Sequence, residues 1–295
     1  MDHKTCALCL GTLNRVALTH GRPDRFEVAL GIPAEGYSRS WQICDTCGSA
    51  TNQHKHVTSE RLAAMGTAYY EVDFAGGPLR PKFDRVMAMP ASQSDNAGRV
   101  TRVLNAVGRF GPAPGGPIRL IDIGAGLGVF GARFLAEARA RGRDAACTLY
   151  EPDPKAAEHL RSLDGLDIVE GLFSATTAKV GAAQVITMNK VLEHIRAPLG
   201  VLQDIAACLH PSEGFTYIEV PDVATIDTRP PEDNILGALH HHLYSPAGLG
   251  LLLRRAGLEP LLIDRIVEPS GKLSVYAFAG HSALLKRLAA RIRPA

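Results

Sequence analysis

From Ile118 onward the chain alternates short apolar runs with stretches whose apolar residues recur every three or four positions. The runs predict strands at 118–123, 146–151, 166–170, 184–188, 214–220, 259–265 and 272–280. The periodic stretches predict helices at about 128–141, 154–163, 197–209 and 246–256. Such alternation is the pattern of a doubly wound parallel sheet. The last two strands are joined through "EPSGK", too short for a helix, so the sheet is expected to end in a hairpin with one antiparallel edge strand. Upstream, Val100, Val103, Leu104 and Val107 have helical spacing between the Pro/Gly-rich stretches "GGPLRPKF" and "FGPAPGGP". This predicts a bridging helix within 76–117. Residues 282–295, "SALLKRLAARIRPA", predict a basic amphipathic terminal helix facing solvent.

Residues 1–75 show little of either period, yet hold four of the six cysteines. Cys6-x-x-Cys9 and Cys44-x-x-Cys47 are each followed closely by a small residue, Gly11 or Gly48, which suits a thiolate knuckle. Two knuckles predict a four-thiolate zinc site stapling a module too small to fold on a core of its own. His54 and His56 are expected at the surface, and Cys147 and Cys208 in the core. Tyr69 and Tyr70, just beyond the module, are expected to clasp the two parts together.

Charge narrows the partners. With 32 basic and 30 acidic residues spread along the chain, a net charge of +2 gives no pull towards nucleic acid. The start "MDHKTCALCLG" lacks a signal-peptide pattern and no apolar run is long enough to span a membrane, which predicts a cytoplasmic protein.

The chemistry centres on "LIDIGAGLGVFGARF". Gly126-x-Gly128-x-x-Gly131 fits a dinucleotide fingerprint, but Asp122 lies in the strand beneath the turn, where a pyrophosphate would be poorly served. A cationic ligand without phosphate, such as S-adenosylmethionine, fits better. Glu151, closing "TLYE", is placed to accept ribose hydroxyls in either case. After the fourth strand comes a polar cluster, Asn189, Lys190, Glu193 and His194, expected at the ligand crevice.

Taken together, "IDIGAGLG", "YEPDP", "VEGLF", "VLEHIRAPLGVL", "EGFTYIEVPD" and "HLYSPAGLGLLLRRAGLEP" resemble the class I S-adenosylmethionine-dependent methyltransferases, over residues 118–280 and in the family's order. The resemblance implies a Rossmann-like α/β fold with a seven-stranded sheet at 118–281, beside a small N-terminal zinc-knuckle domain. It places Gly124, Ala125, Gly126 and Gly128 around the methionine end of the cofactor, with Asp122 beneath. Glu151 would bind the ribose, Pro152 and Asp153 would flank the adenine, and Gly171 with Leu172 would close over it. Asn189 and Lys190 join the cofactor set. The zinc-headed arrangement is similar to sugar C-methyltransferases acting on nucleotide-linked deoxysugars, which carry a further C-terminal α/β domain. A sugar-like small-molecule acceptor is therefore expected.

Methyl transfer needs an aligned acceptor and a base. The resembling enzymes use a Glu-His-x-x-Tyr-like element, approximated by His241-His242-Leu243-Tyr244. This points to His242 as base, with His241 as the alternative and Tyr244 beside it. His194 is expected to orient substrate or to act as a second catalytic group, although such a histidine can also cap the following helix. The run His240-His241-His242 can also form a solvated turn or a second metal site. Asp222 is expected to bind substrate hydroxyls, and "SQSDN" at 92–96 to meet the methionine carboxylate or the acceptor. A nicotinamide oxidoreductase and a non-catalytic zinc-headed binding module are the competing classes.

Overall fold

A computed structural model describes residues 5–55, 77–113 and 115–292. His56, Tyr69 and Tyr70 lie outside the described residues. The large sheet follows the hydrophobic pattern closely: β4 (Ile118–Ile123), β5 (Ala145–Glu151), β6 (Asp167–Glu170), β7 (Val185–Asn189), β8 (Phe215–Pro221), β10 (Glu259–Val267) and β11 (Leu273–Gly280). Their order is β10-β11-β8-β7-β4-β5-β6. β4 pairs in parallel with both β5 and β7, so the first strand sits centrally and the chain reverses direction across the sheet there. That switch opens a crevice at the carboxyl ends of the strands.

One detail of the hairpin differs from expectation. β11 is antiparallel to both β8 and β10, so the antiparallel strand lies one place inside the edge. The helix Pro246–Arg255 carries the chain past that slot to the edge position β10, and the tight turn then brings β11 back to fill it.

Helices cover the sheet where their apolar faces predict. Val100, Val103, Leu104 and Val107 of the helix Asp95–Phe110 are all buried, among β4 residues Ile118 and Leu120 and β8 residues Phe215 and Tyr217. "PLRPKF", expected as a boundary, instead begins a helix, Leu79–Met87. Pro81 stands in its first turn, where a missing N–H costs nothing. The terminal helix Ser282–Ile292 is less solvated than expected: Leu284 is fully buried and Arg287 donates to the carbonyls of Phe110 and Gly111.

The cysteine-rich head contains more regular structure than its sequence shows. β1 (Leu13–His20), β2 (Arg39–Cys44) and β3 (Ala50–His54) form an antiparallel meander. A fourth strand comes from the far end of the chain, β9 (His242–Leu243), which pairs Thr51 with His242 and Ala50 with Leu243. Among the described residues the head shares its core with the α/β domain. Cys6, Leu8, Cys44 and Cys47 pack in one cluster with Tyr244, Leu249 and Leu252, and Trp41 packs with Ile235, Leu236 and Leu243.

Candidate active site and cysteine centre

The loop after β4 holds Gly124, Gly126 and Gly128 at φ of 69°, 55° and 76°, a region closed to most side chains. Two of the three are also packed against. A Cβ on Gly124 would lie 2.6 Å from Val191 Cγ2, and one on Gly128 2.5 Å from Leu160 Cδ2. A Cβ on Gly126 would meet nothing within 4 Å among the described residues, so that side of the loop has room for a ligand. Gly131, the last glycine of the competing fingerprint, serves packing, since a Cβ there would lie 2.8 Å from Leu149 Cδ2.

Asp122 is buried beneath this loop, where its Oδ1 accepts from Thr187 Oγ1 at 2.6 Å and from Asn189 Nδ2 at 3.2 Å. Burial raises its pKa to about 7 against those two hydrogen bonds. Asn189 turns its amide towards Asp122 and leaves Oδ1 buried with no partner among the described residues. Such an oxygen suits a donor supplied by a ligand. At the end of β5, Glu151 accepts from Gly126 N at 2.7 Å and Asp153 N at 3.0 Å, drawing the two loops together. Asp153 caps the helix Pro154–Arg161, and Pro152 beside it is exposed. Gly171 has φ of 137° and Leu172 is exposed at the rim.

The group after β7 divides. Lys190, at φ of 58°, turns away from Asn189 into a buried ionic network. Its Nζ lies 3.1 Å from Glu268 and 3.5 Å from Glu219, and it donates to Ser274 Oγ. Arg99 bridges the same two carboxylates at 2.8 and 2.5 Å, and Arg102 reaches Glu219 at 2.7 Å. These cations hold the Glu219 carboxyl far below its usual range despite burial. The residues come from separate elements at irregular spacing, so the sequence carries no signal of this network. Of "SQSDN", Ser94 caps the helix Asp95–Phe110 and Asp95 accepts from Ser270 N and Oγ, which ties the helix to the β10–β11 turn.

Glu193 and His194 sit on a single 3₁₀ turn, Leu192–His194, and meet His240 across a cavity of about 170 Å³. The cavity is also lined by Arg25, Phe26, Lys190, Asn234, Leu239 and Lys272. His194 Nδ1 lies 3.1 Å from Leu239 O, and His240 Nδ1 2.6 Å from Ile235 O. Burial lowers His194 to about 4 and His240 well below the ordinary imidazole value, so both rings are neutral near pH 7. A larger cavity of about 490 Å³, lined by Arg109, Arg141 and Arg143, lies at the amino end of the strands, remote from the glycine loop.

Of the triple run, His240 is the one that lines this cavity. His242 is buried, with Nδ1 3.4 Å from Thr51 Oγ1 and Nε2 3.1 Å from Arg196 O. Both nitrogens are engaged in the seam with the head, and the ring does not line the cavity. The reason is strand pairing. Once His242 pairs with Thr51, its side chain faces inward between the layers. His241 donates its backbone N–H to Glu193 O at 2.7 Å, and its ring, lowered to about 3 by burial and by His242, is absent from the cavity lining. Tyr244 is fully buried and donates to Leu192 O. Asp222 is also withdrawn, accepting from Arg265 Nε at 2.6 Å and Ala224 N at 2.9 Å.

In the head, the four cysteine sulfurs lie within 4.8 Å of one another, with Cys6–Cys47 at 3.9 Å and Cys9–Cys44 at 3.5 Å. All four are free thiols. The left-handed residues after the knuckles are Leu10 and Gly48, at φ of 69° and 71°. In the first knuckle a leucine, 63% exposed, thus takes the turn position anticipated for Gly11. His54 is not at the surface. Its side chain is buried with Nδ1 3.3 Å from Glu27 Oε1, in a cluster where Tyr37 OH donates to Glu27 and Arg39 Nε donates to Tyr37.

A central parallel sheet with a topological switch, a strained glycine loop over a buried aspartate and an acidic residue closing the next strand define a class I S-adenosylmethionine-dependent methyltransferase. Residues 96–263 match the family described as methyltransferase domain, and the chain belongs to that family. Among solved structures it is similar to the 1,6-didemethyltoxoflavin-N1-methyltransferase of Burkholderia thailandensis, with bound 1,6-didemethyltoxoflavin and S-adenosylhomocysteine. The TM-score is 0.53 at 18% identity, over 80% of this chain and 96% of that one. It is also similar to a SAM-dependent methyltransferase from Aquifex aeolicus, with a TM-score of 0.45 at 16% identity, over 61% of this chain and 88% of that one. No curated protein matches the sequence. No helix among the described residues is long and apolar enough to cross a membrane.

The chain is thus a methyltransferase that uses S-adenosylmethionine, which supplies an electrophilic methyl group on a sulfonium. Asp122, Asn189, Glu151 and Gly126 lie together at the carboxyl ends of β4, β5 and β7.

Proposed function

We propose that the methyl group goes to a sugar-like small molecule bound in the cavity between Glu193, His194, His240 and the head. The observation that carries this reading is the cavity's lining. Lys190, Asn234 and Lys272 present polar groups around the apolar patch of Phe26, Ile235 and Leu239, a combination suited to a ring with several hydroxyls. At about 170 Å³ the space is smaller than the roughly 300–1,000 Å³ of sites for drug-sized ligands, so it takes one ring and leaves any carrier outside. Arg25 and Lys272 at the lining favour a carrier with phosphates.

In this reading Asp122 and Asn189 orient the cationic methionine end and Glu151 binds the ribose, while Gly171 and Leu172 flank the adenine. Glu193, His194 and His240 surround the acceptor atom, and the Glu193 carboxylate receives its proton. The four cysteines hold a structural zinc ion. Tetrahedral thiolates about 2.3 Å from zinc stand about 3.8 Å apart, and the two measured pairs, at 3.9 and 3.5 Å, bracket that spacing. Zinc fixes the knuckles, and through β9 it fixes the segment that brings His240 to the cavity.

The test is incubation with methyl-labelled S-adenosylmethionine and a panel of nucleotide-linked sugars. Label is expected in a sugar product. Transfer only to non-sugar acceptors would refute the acceptor class.

A further inference from the structure

We propose that Glu193, His194 and His240 form a second metal centre, holding a divalent transition-metal ion that binds the acceptor's oxygen. The proposal deepens the functional reading above and rests on it for the identity of the acceptor site.

Three observations carry it. First, one carboxylate oxygen and one ring nitrogen from each histidine lie within 4.8 Å of one another, close enough for a single ion to reach all three. Second, Glu193 is 1% exposed, and its Oε2 is buried with no hydrogen-bond partner among the described residues. An unmatched carboxylate oxygen is costly to bury and calls for a counter-charge or donor. Third, both histidines direct Nδ1 at a backbone carbonyl, Leu239 O for His194 and Ile235 O for His240. For His240 a proton on Nδ1 leaves the lone pair on Nε2, the tautomer that binds metal, with the carbonyl acting as the outer hydrogen-bond partner.

The carriers of these donors are braced. Asn52 Nδ2 donates to the carbonyls of Gly237 and His240, and His241 N donates to Glu193 O. The nearby cation Lys190 is already matched by Glu219 and Glu268, which limits its repulsion of an incoming ion. Two imidazoles and one carboxylate leave the remaining coordination positions open, and here those face the cavity. A mixed nitrogen and oxygen set selects manganese, iron, cobalt or zinc over magnesium or calcium. The ion would bind an acceptor hydroxyl, or a hydroxyl with an adjacent oxygen, and lower its pKa, so that its proton passes to the carboxylate oxygen of Glu193 that does not bind the ion before the methyl group arrives. Acceptors with vicinal oxygens are the substrate class that such a centre favours.

The experiment titrates Mn²⁺ into the full chain with its knuckles loaded, in the absence of cofactor and acceptor. Electron paramagnetic resonance counts the free ion, and Co²⁺ absorption is read in parallel. The wild type is expected to bind one ion per chain beyond the knuckle zinc. Glu193→Gln and His240→Gln should each weaken binding by at least about tenfold, since even losing an outer-shell partner costs 10–100-fold in affinity. Knuckle zinc content and S-adenosylmethionine binding should be unchanged. Absence of a second site for both Mn²⁺ and Co²⁺ in the wild type would overturn the proposal, as would full binding in both variants. Because this readout needs no turnover, it can fail while methyl transfer to a sugar stands, and the converse also holds.

Discussion

The two ends of the crevice are built in different ways. The cofactor end uses the tips of three adjacent parallel strands, with Asp122 and the glycine loop after β4, Glu151 on β5 and Asn189 on β7. The opposite end is gathered from five segments far apart in the chain: Arg25 and Phe26 of the head, residues 190–194, Pro221 at the end of β8, residues 234–240, and Lys272 in the last hairpin. The first end follows from the sheet alone. The second exists only once the head is seated. Arg39 and Trp41 both donate to Leu236 O, and Ala238 N donates to Asp24 Oδ2, so the head grips the segment carrying His240. In the reading proposed above, the contrast separates a generic donor site from an acceptor site whose shape depends on the cysteine centre.

The largest effect should come from removing that centre. Replacing Cys44 by serine, or stripping the metal, is expected to unfold the head and abolish turnover, because folding energy in small zinc modules is largely metal-binding energy. Calorimetry should still show S-adenosylmethionine binding to the sheet; its loss would mean that the two ends are not separable.

Next in size is the histidine exchange. His240→Gln should lower kcat by at least about a hundredfold. His242→Gln should retain turnover within a few-fold and instead cost about 1–2 kcal/mol in thermal or denaturant unfolding, as its bonds to Thr51 and Arg196 are lost. The reverse ranking would restore His242 to the chemistry.

A smaller contrast lies within the glycine loop. Gly128→Ala combines left-handed strain with a clash on Leu160 and should destabilise by about 1–3 kcal/mol. Gly126→Ala meets no protein atom, so about 1–2 kcal/mol of backbone strain is expected, together with weaker cofactor binding.

The mildest effect is on pH. With Asp122 raised to about 7, affinity for the cationic cofactor should rise as pH increases from 6 to 8, by up to about tenfold. The Asp122→Asn variant should lack this slope. The sign for stability is opposite. The folded protein holds the extra proton between the unfolded value near 4 and about 7, so this group's contribution declines as pH rises through that window.

Much of the fold was legible because its signals are local. Each predicted strand of the sheet and each helix of the α/β region lies within two residues of its observed limits, since buried parallel strands read as apolar runs and their covering helices as 3.6-residue periods. The positions of Asp122, Glu151 and Asn189 were legible for the same reason, Glu151 and Asn189 being the last residues of their strands and Asp122 the last but one. The meander of the head was not, because its strands are short, bulged between Val16 and Leu18, and completed by a partner some 190 residues away. The ionic network of Arg99, Arg102, Lys190, Glu219 and Glu268 was equally silent.

By itself, then, the sequence determined the sheet, its connections, the glycine loop and the pairing of two cysteine knuckles, because all of these depend on residue spacing along one element or turn. Only the tertiary structure decided that the antiparallel strand lies inside the edge and that Asp222 and Tyr244 are withdrawn. It also decided that His240, rather than His242, meets Glu193 and His194. His242 is fixed in β9 against Thr51, whereas His240 precedes that strand in a segment whose carbonyls Asn52 holds, and these contacts join parts of the chain some 190 residues apart that local spacing does not encode.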